Sequence, residues 1–133
     1  MLRTTIRAAA TALAIAGALL SGAAAASLSV YISYADWCGP CQVLMPKLDA
    51  AAARFPEGEI DLVKLDFTEM SVENLDRQFA RAGPLAPGDF MEEGRFLKTG
   101  FAYLVVGGSV EGQVSAGLAV DDIVAQFRSA LDR

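Results

Sequence analysis

The stretch YADWCGPCQVLMP, residues 34–46, holds both cysteines of the chain, Cys38 and Cys41, separated by Gly39 and Pro40. Two thiols at this spacing suit three kinds of chemistry: a redox couple, half of a metal site, or a structural staple. As a redox couple, the nucleophile is the thiolate of the first cysteine. A cysteine at a helix start meets unpaired N–H groups and the positive end of the macrodipole, which favour the anion. Cys41 lies one helical turn on, within reach of Cys38, and Pro40 is tolerated where its missing N–H matters least. Exchange then runs by attack of Cys38 on a partner disulfide and resolution of the mixed disulfide by Cys41. As a staple, a bridge across two residues closes too small a loop to constrain the unfolded chain much. A metal site needs further ligands, and the chain has no histidine and no third cysteine. A two-coordinate soft ion such as Cu(I), or a site shared between subunits, survives that objection.

The elements around the motif follow from periodicity. SVYISY, Ser29 to Tyr34, is β-branched and aromatic and predicts a buried strand running into the cysteines. From Cys38 onward the pattern is helical, with Leu44, Leu48, Ala52 and Phe55 on one face, Pro46 inside it and Pro56-Glu57-Gly58 as the stop. Ile60 to Phe67 alternates as a second strand, and Val72 to Ala82 predicts a helix burying Val72, Leu75, Phe79 and Ala82. A loop follows, with a short helix that Asp89 and Glu92 would cap as a box. Phe101 to Val106 is a third strand. Gly107-Gly108 and Glu111-Gly112 compete as the turn into a fourth strand near Gln113 to Ser115. Asp121 and Asp122 open a last helix with Ile123, Val124, Phe127 and Leu131 inward. Strand–helix–strand implies a parallel right-handed crossover and the hairpin an antiparallel pair, hence a small mixed α/β sheet with helices on its faces.

The chain has 133 residues. Its start reads as a secretory signal: Arg3 and Arg7, an apolar run from Ala8 to Leu20, then Ala24 and Ala26 before a cut. This predicts a cleaved segment 1–26 and one domain over 27–133, with an uncleaved membrane anchor as the rival. The strictly apolar run is shorter than the roughly 20 residues of a spanning helix. Without Arg3 and Arg7 the 11 basic residues fall to 9 against 16 acidic ones, taking the net charge from −5 to −7. That balance disfavours nucleic acid and anionic membrane surfaces as partners. Lacking histidine, the chain cannot use imidazole acid–base catalysis or a Cys–His nucleophile pair. In an oxidising compartment, the periplasm if the source is bacterial, nearby cysteines tend towards the disulfide.

WCGPC after an apolar strand, Pro46 five residues beyond Cys41, and the strand VKLDF together resemble the thioredoxin family, as does Gly117 before the final helix. The resemblance covers most of Ser29 to Phe67 and Phe101 to Leu131. It implies a thioredoxin-like three-layer fold of about four strands, without the family's N-terminal strand–helix unit and with a helical insert over 68–99 that covers a sheet edge or forms a lid. It implies a thiol–disulfide oxidoreductase with Cys38 attacking and Cys41 resolving, and with Trp37, Gly39 and Pro40 shaping the site. No bound cofactor is expected beyond the Cys38–Cys41 disulfide.

Two family features are absent. Ile32 stands where the family has a buried acid, and Phe101, preceded by Gly100, stands where it has a cis-proline. A non-proline cis bond costs about 2.5–4 kcal/mol, so a trans bond is expected there. Lys64 either tunes the thiols or reaches solvent; Phe101 is read as a core or rim residue and Trp37 as both docking surface and packing. Asp36, Glu92 and Glu93 are expected to be solvated charges. The expected partner is a protein disulfide or dithiol, with electrons exchanged through a membrane-linked redox protein, and the expected state a monomer. The Gly-Pro dipeptide resembles reducing members. The rival readings are a binding or chaperone-like module that recognises a partner through the insert, and a Cu(I)-handling dithiol.

Overall fold

A computed structural model describes residues 27–94 and 96–133. The predicted cut at Ala26 and the segment before it lie outside the described residues. The elements run β1 (Leu28–Tyr34), α1 (Gly39–Ala52), β2 (Ile60–Asp66), α2 (Val72–Ala82), α3 (Pro87–Phe90), β3 (Phe101–Val106), β4 (Ser109–Ser115) and α4 (Val120–Leu131). The sheet order is β2-β1-β3-β4, with β1 parallel to β2 and the other pairs antiparallel. This is the mixed α/β sheet the sequence predicts.

Strand alternation sends successive side chains to opposite faces. Leu28, Val30 and Ile32 of β1 bury against Leu44, Leu48 and Ala51 of α1 and Ile123, Val124 and Phe127 of α4. The other face carries Leu65, Phe67, Tyr103 and Val105, covered by Ala82, Leu85, Phe90 and Leu97 from the segment between β2 and β3. Phe67, Phe79, Phe90 and Tyr103 form a chain of tilted ring contacts with centroids 5.4–5.9 Å apart. The segment between β2 and β3 therefore packs on this face of the sheet. Lys47 of α1 donates to the carbonyls of Ala116 (2.7 Å) and Leu118 (2.8 Å), fixing the β4–α4 loop to the active-site helix.

Several boundaries differ from the sequence reading, each for a local reason. α1 stops at Ala52, so Phe55 packs from beyond the helix, its ring 5.8 Å from that of Phe127. Gly107 and Gly108, both at positive φ, make the hairpin turn, and β4 starts at Ser109. Glu111 is then the extra residue of a bulge, because Leu104 pairs with Gly112 while Val105 pairs with Val110. Asp89 lies in the third position of α3 rather than before the helix, and its carboxylate accepts the Ala86 N–H at 2.6 Å. Leu75, Phe79 and Ala82 of α2 pack inward as expected, but Val72 is 75% exposed, and Asn74 and Gln78 are buried beside them.

Candidate active site

β1 ends at Tyr34 and the chain turns through Ala35, Asp36 and Trp37, with the Cys38 N–H donating to Ala35 O at 3.1 Å. Cys38 is the N-cap of α1: its backbone is extended, and its sulfur accepts the Cys41 N–H at 3.2 Å. Pro40 occupies the first turn, where no intrahelical donor is lost. Cys38 and Cys41 are joined as a disulfide with Cα atoms 5.3 Å apart. Cys41 is wholly buried and Cys38 is 5% exposed, so only one sulfur borders solvent.

The back of the disulfide is built from β1 and the β3 entrance. Cys41 Sγ lies 3.6 Å from the Ser33 carbonyl oxygen, the acceptor its thiol gains on reduction. The same oxygen accepts the Gly100 N–H at 2.9 Å, and Ser33 Oγ donates to Lys98 O at 2.8 Å. Gly100 has φ +88, and a Cβ there would stand 3.0 Å from Pro40 Cβ and 3.6 Å from Cys38 Sγ. A side chain is therefore excluded by conformation and by space alike. The bond into Phe101 is trans, as are all the described peptide bonds. Phe101 pairs with Ser33 and Ser115, half-buried, with the Lys98 ammonium 4.3 Å from its ring centroid.

The other predicted residues sit as follows. Trp37 is 58% exposed beside the cysteines, its indole N–H donating to Thr68 O at 3.2 Å. Gly39 has open space around it. Ile32, 1% exposed, lies in the apolar layer between β1, α1 and α4. Lys64, its register partner on β2, is exposed, its ammonium 4.6 Å from the Tyr34 ring centroid. Tyr34 packs against the cysteines and donates its hydroxyl to Asp36 at 2.8 Å, so exposed Asp36 carries a partner as well as solvent. Glu92 and Glu93 are exposed.

Sequence reading misses Ser33, Thr68, Asn74 and Gln78. Ser71 at the N-cap with Asn74 at the third helical position, whose N–H it accepts at 3.2 Å, is the signal available for the last pair. Asp66 closes the same corner: burial works to raise its pKa, but the Thr68 hydroxyl and N–H and the Lys64 charge outweigh it and hold the carboxyl below its usual range. Among the described residues, no three His, Cys, Asp or Glu side chains gather as a metal site would require.

The thioredoxin family model matches residues 23–79. A protein disulfide-isomerase of Aspergillus oryzae is 50% identical over 36 residues, 27% of this chain and 7% of that protein. A thioredoxin of Staphylococcus aureus is 47% identical over 36 residues, 27% of this chain and 34% of that one. The match thus spans about a third of the curated thioredoxin's length. Among solved structures, one described as that of a malarial protein covers 79% of this chain and 98% of its own, at 17% identity and a TM-score of 0.52, a likeness of fold. Sheet, helix placement and motif agree with these matches: the fold is thioredoxin-like. More narrowly, it carries a Cys-x-x-Cys disulfide, Cys38–Cys41, at the N-terminus of its first helix.

Proposed function

We propose that this protein is an exported thiol–disulfide oxidoreductase that exchanges its Cys38–Cys41 couple with a protein partner, acting as reductant. The observation that carries the reading is the asymmetry of the two cysteines: Cys38 caps the helix and keeps 5% exposure, while Cys41 is wholly buried behind it. In the reduced protein the Cys38 thiolate accepts the Cys41 N–H and faces the helix N-terminus, both of which favour the anion. It attacks one sulfur of a substrate disulfide, forming a mixed disulfide and releasing one substrate thiolate. Cys41, giving up its proton to solvent or to that thiolate, attacks Cys38 Sγ. The second substrate thiolate leaves and Cys38–Cys41 re-forms, two electrons having passed to the substrate.

No bound cofactor enters these steps. A partner dithiol, on a membrane-linked redox protein in this reading, restores the reduced form. The Gly39-Pro40 dipeptide supports the reducing direction, and the charged and apolar segments before Ser27 support export. Among the described residues no helix is long and apolar enough to cross a membrane. Replacing Cys41 by Ser should trap a stable mixed disulfide through Cys38, resolved by non-reducing electrophoresis, whereas Cys38→Ser should trap none. Equal trapping by both variants would overturn the assigned roles.

A second reading is favoured by Phe101, which stands where the family has a cis-proline and is joined to Gly100 by a trans bond. In it the protein is a binding or chaperone-like module, with little turnover on generic disulfides and Cys41→Ser capture of a single partner. Broad turnover on unrelated protein disulfides removes that reading.

A further inference from the structure

α2 belongs to the insert, yet its two inward polar residues touch the corner that carries the active-site loop. Asn74 and Gln78 are 7% and 6% exposed, and buried amides are kept only where their hydrogen bonds are made. Asn74 Nδ2 donates to the carbonyls of Asp66 (3.0 Å) and Glu69 (2.8 Å), the two ends of the turn after β2. Gln78 Oε1 accepts the Asp66 N–H at 3.2 Å, and Gln78 Nε2 donates to Asn74 Oδ1 at 3.2 Å, fixing which way the Asn74 amide points. Inside the turn, Thr68 donates its N–H (2.9 Å) and its hydroxyl (2.5 Å) to Asp66. Thr68 also faces the active-site loop: its Oγ1 accepts the Asp36 N–H at 2.9 Å and its carbonyl accepts the Trp37 indole N–H at 3.2 Å. Trp37 is the residue next to Cys38.

We propose that Asn74 and Thr68 are positioning residues that clamp the Asp36-Trp37 loop, so that the insert helix α2 sets the orientation in which Trp37 and the Cys38 sulfur meet a partner. The clamp rests on the oxidoreductase reading for its effect on turnover, and on geometry alone for its effect on Trp37. Without Asn74 the turn loses the donor that ties its two ends, and both anchors of the loop move with Thr68. The interaction is local to the oxidised and the reduced protein alike, since no sulfur takes part in it.

Trp37 is the sole tryptophan of the chain, so its fluorescence reports the loop directly. In the oxidised full chain, Asn74→Ala is expected to raise quenching of Trp37 by acrylamide and shift its emission. Thr68→Val, which keeps shape but loses the hydroxyl, should do the same, and Thr68→Ser should restore the native values. With a protein disulfide as substrate, Asn74→Ala should lower kcat/KM by about three- to tenfold, mainly through KM. In a Trp37→Phe background the same substitution should add little, because its effect passes through Trp37. Native quenching in both Asn74→Ala and Thr68→Val, or a loss of kcat/KM that simply adds to that of Trp37→Phe, would overturn the clamp. If Asn74→Ala does not fold, the Thr68→Val and Thr68→Ser pair decides alone. A wild type that turns over no disulfide refutes the oxidoreductase reading, and the quenching result still decides the clamp.

Discussion

Gly100 does at the disulfide, as a single residue, what a larger side chain could not. Its φ of +88 is a conformation L side chains adopt only under strain, and the space where a Cβ would stand is closed by Pro40 at 3.0 Å. Gly100→Ala is expected to destabilise the protein by about 1–3 kcal/mol, measured by urea unfolding of the oxidised form. Unchanged stability would mean that the β3 entrance can rearrange. The N–H of Gly100 is equally committed, bonding the Ser33 carbonyl that borders Cys41, and a proline has no N–H to give there. Ile32 presents the complementary case. It is packed in an apolar layer, where a carboxylate without a partner would be costly to bury, so no acid stands behind Cys41 on this strand.

Elements were legible in the sequence where one period governed them, and illegible where tertiary partners overrode it. β1, β2 and β3 form where their apolar and β-branched runs predict strands, and α4 buries Ile123, Val124 and Phe127 as its spacing predicts. α2 has the predicted span and packs Leu75, Phe79 and Ala82 inward as expected, but Val72 stays exposed while Asn74 and Gln78 are buried, because their amides answer backbone groups of the β2 turn that only the folded chain brings near. The hairpin register escaped because Gly112 looks like turn chemistry, while its actual place is opposite Leu104 beside a bulge. At the active site Cys38, Cys41 and Trp37 were legible from the motif, whereas Ser33 and Thr68 act through hydroxyls and carbonyls whose partners only the folded chain brings near.

The insert also welds β3 to α3 through Tyr103, whose hydroxyl donates to the Asp89 carbonyl. Burial first, and then the Asp89 charge, push the Tyr103 pKa from 10.0 up to about 12. The folded phenol therefore keeps its proton where the unfolded one loses it, and stability from this group is present below pH 10 and lost as pH rises towards 12. At 4% exposure the loss should amount to about 2–3 kcal/mol. Denaturation across the alkaline range should show it, and Tyr103→Phe should remove most of that slope.

For the whole molecule, one sheet carries two unlike cores: the α1–α4 face supports the active-site helix and the insert face supports the loop in front of it. The proposed export makes a separate prediction at this scale. The protein recovered from its compartment should begin at Ser27, as read by mass spectrometry, while an intact N-terminus on membrane-bound protein would favour the anchor. The central claim is that Cys38–Cys41 is a reducing redox couple. Its most direct test is equilibration of the protein with glutathione buffers, followed by alkylation of free thiols. The account predicts a two-electron transition near the reducing end of such couples, at roughly −270 mV. A disulfide that stays unreduced throughout, or a strongly oxidising couple near about −120 mV, would contradict it.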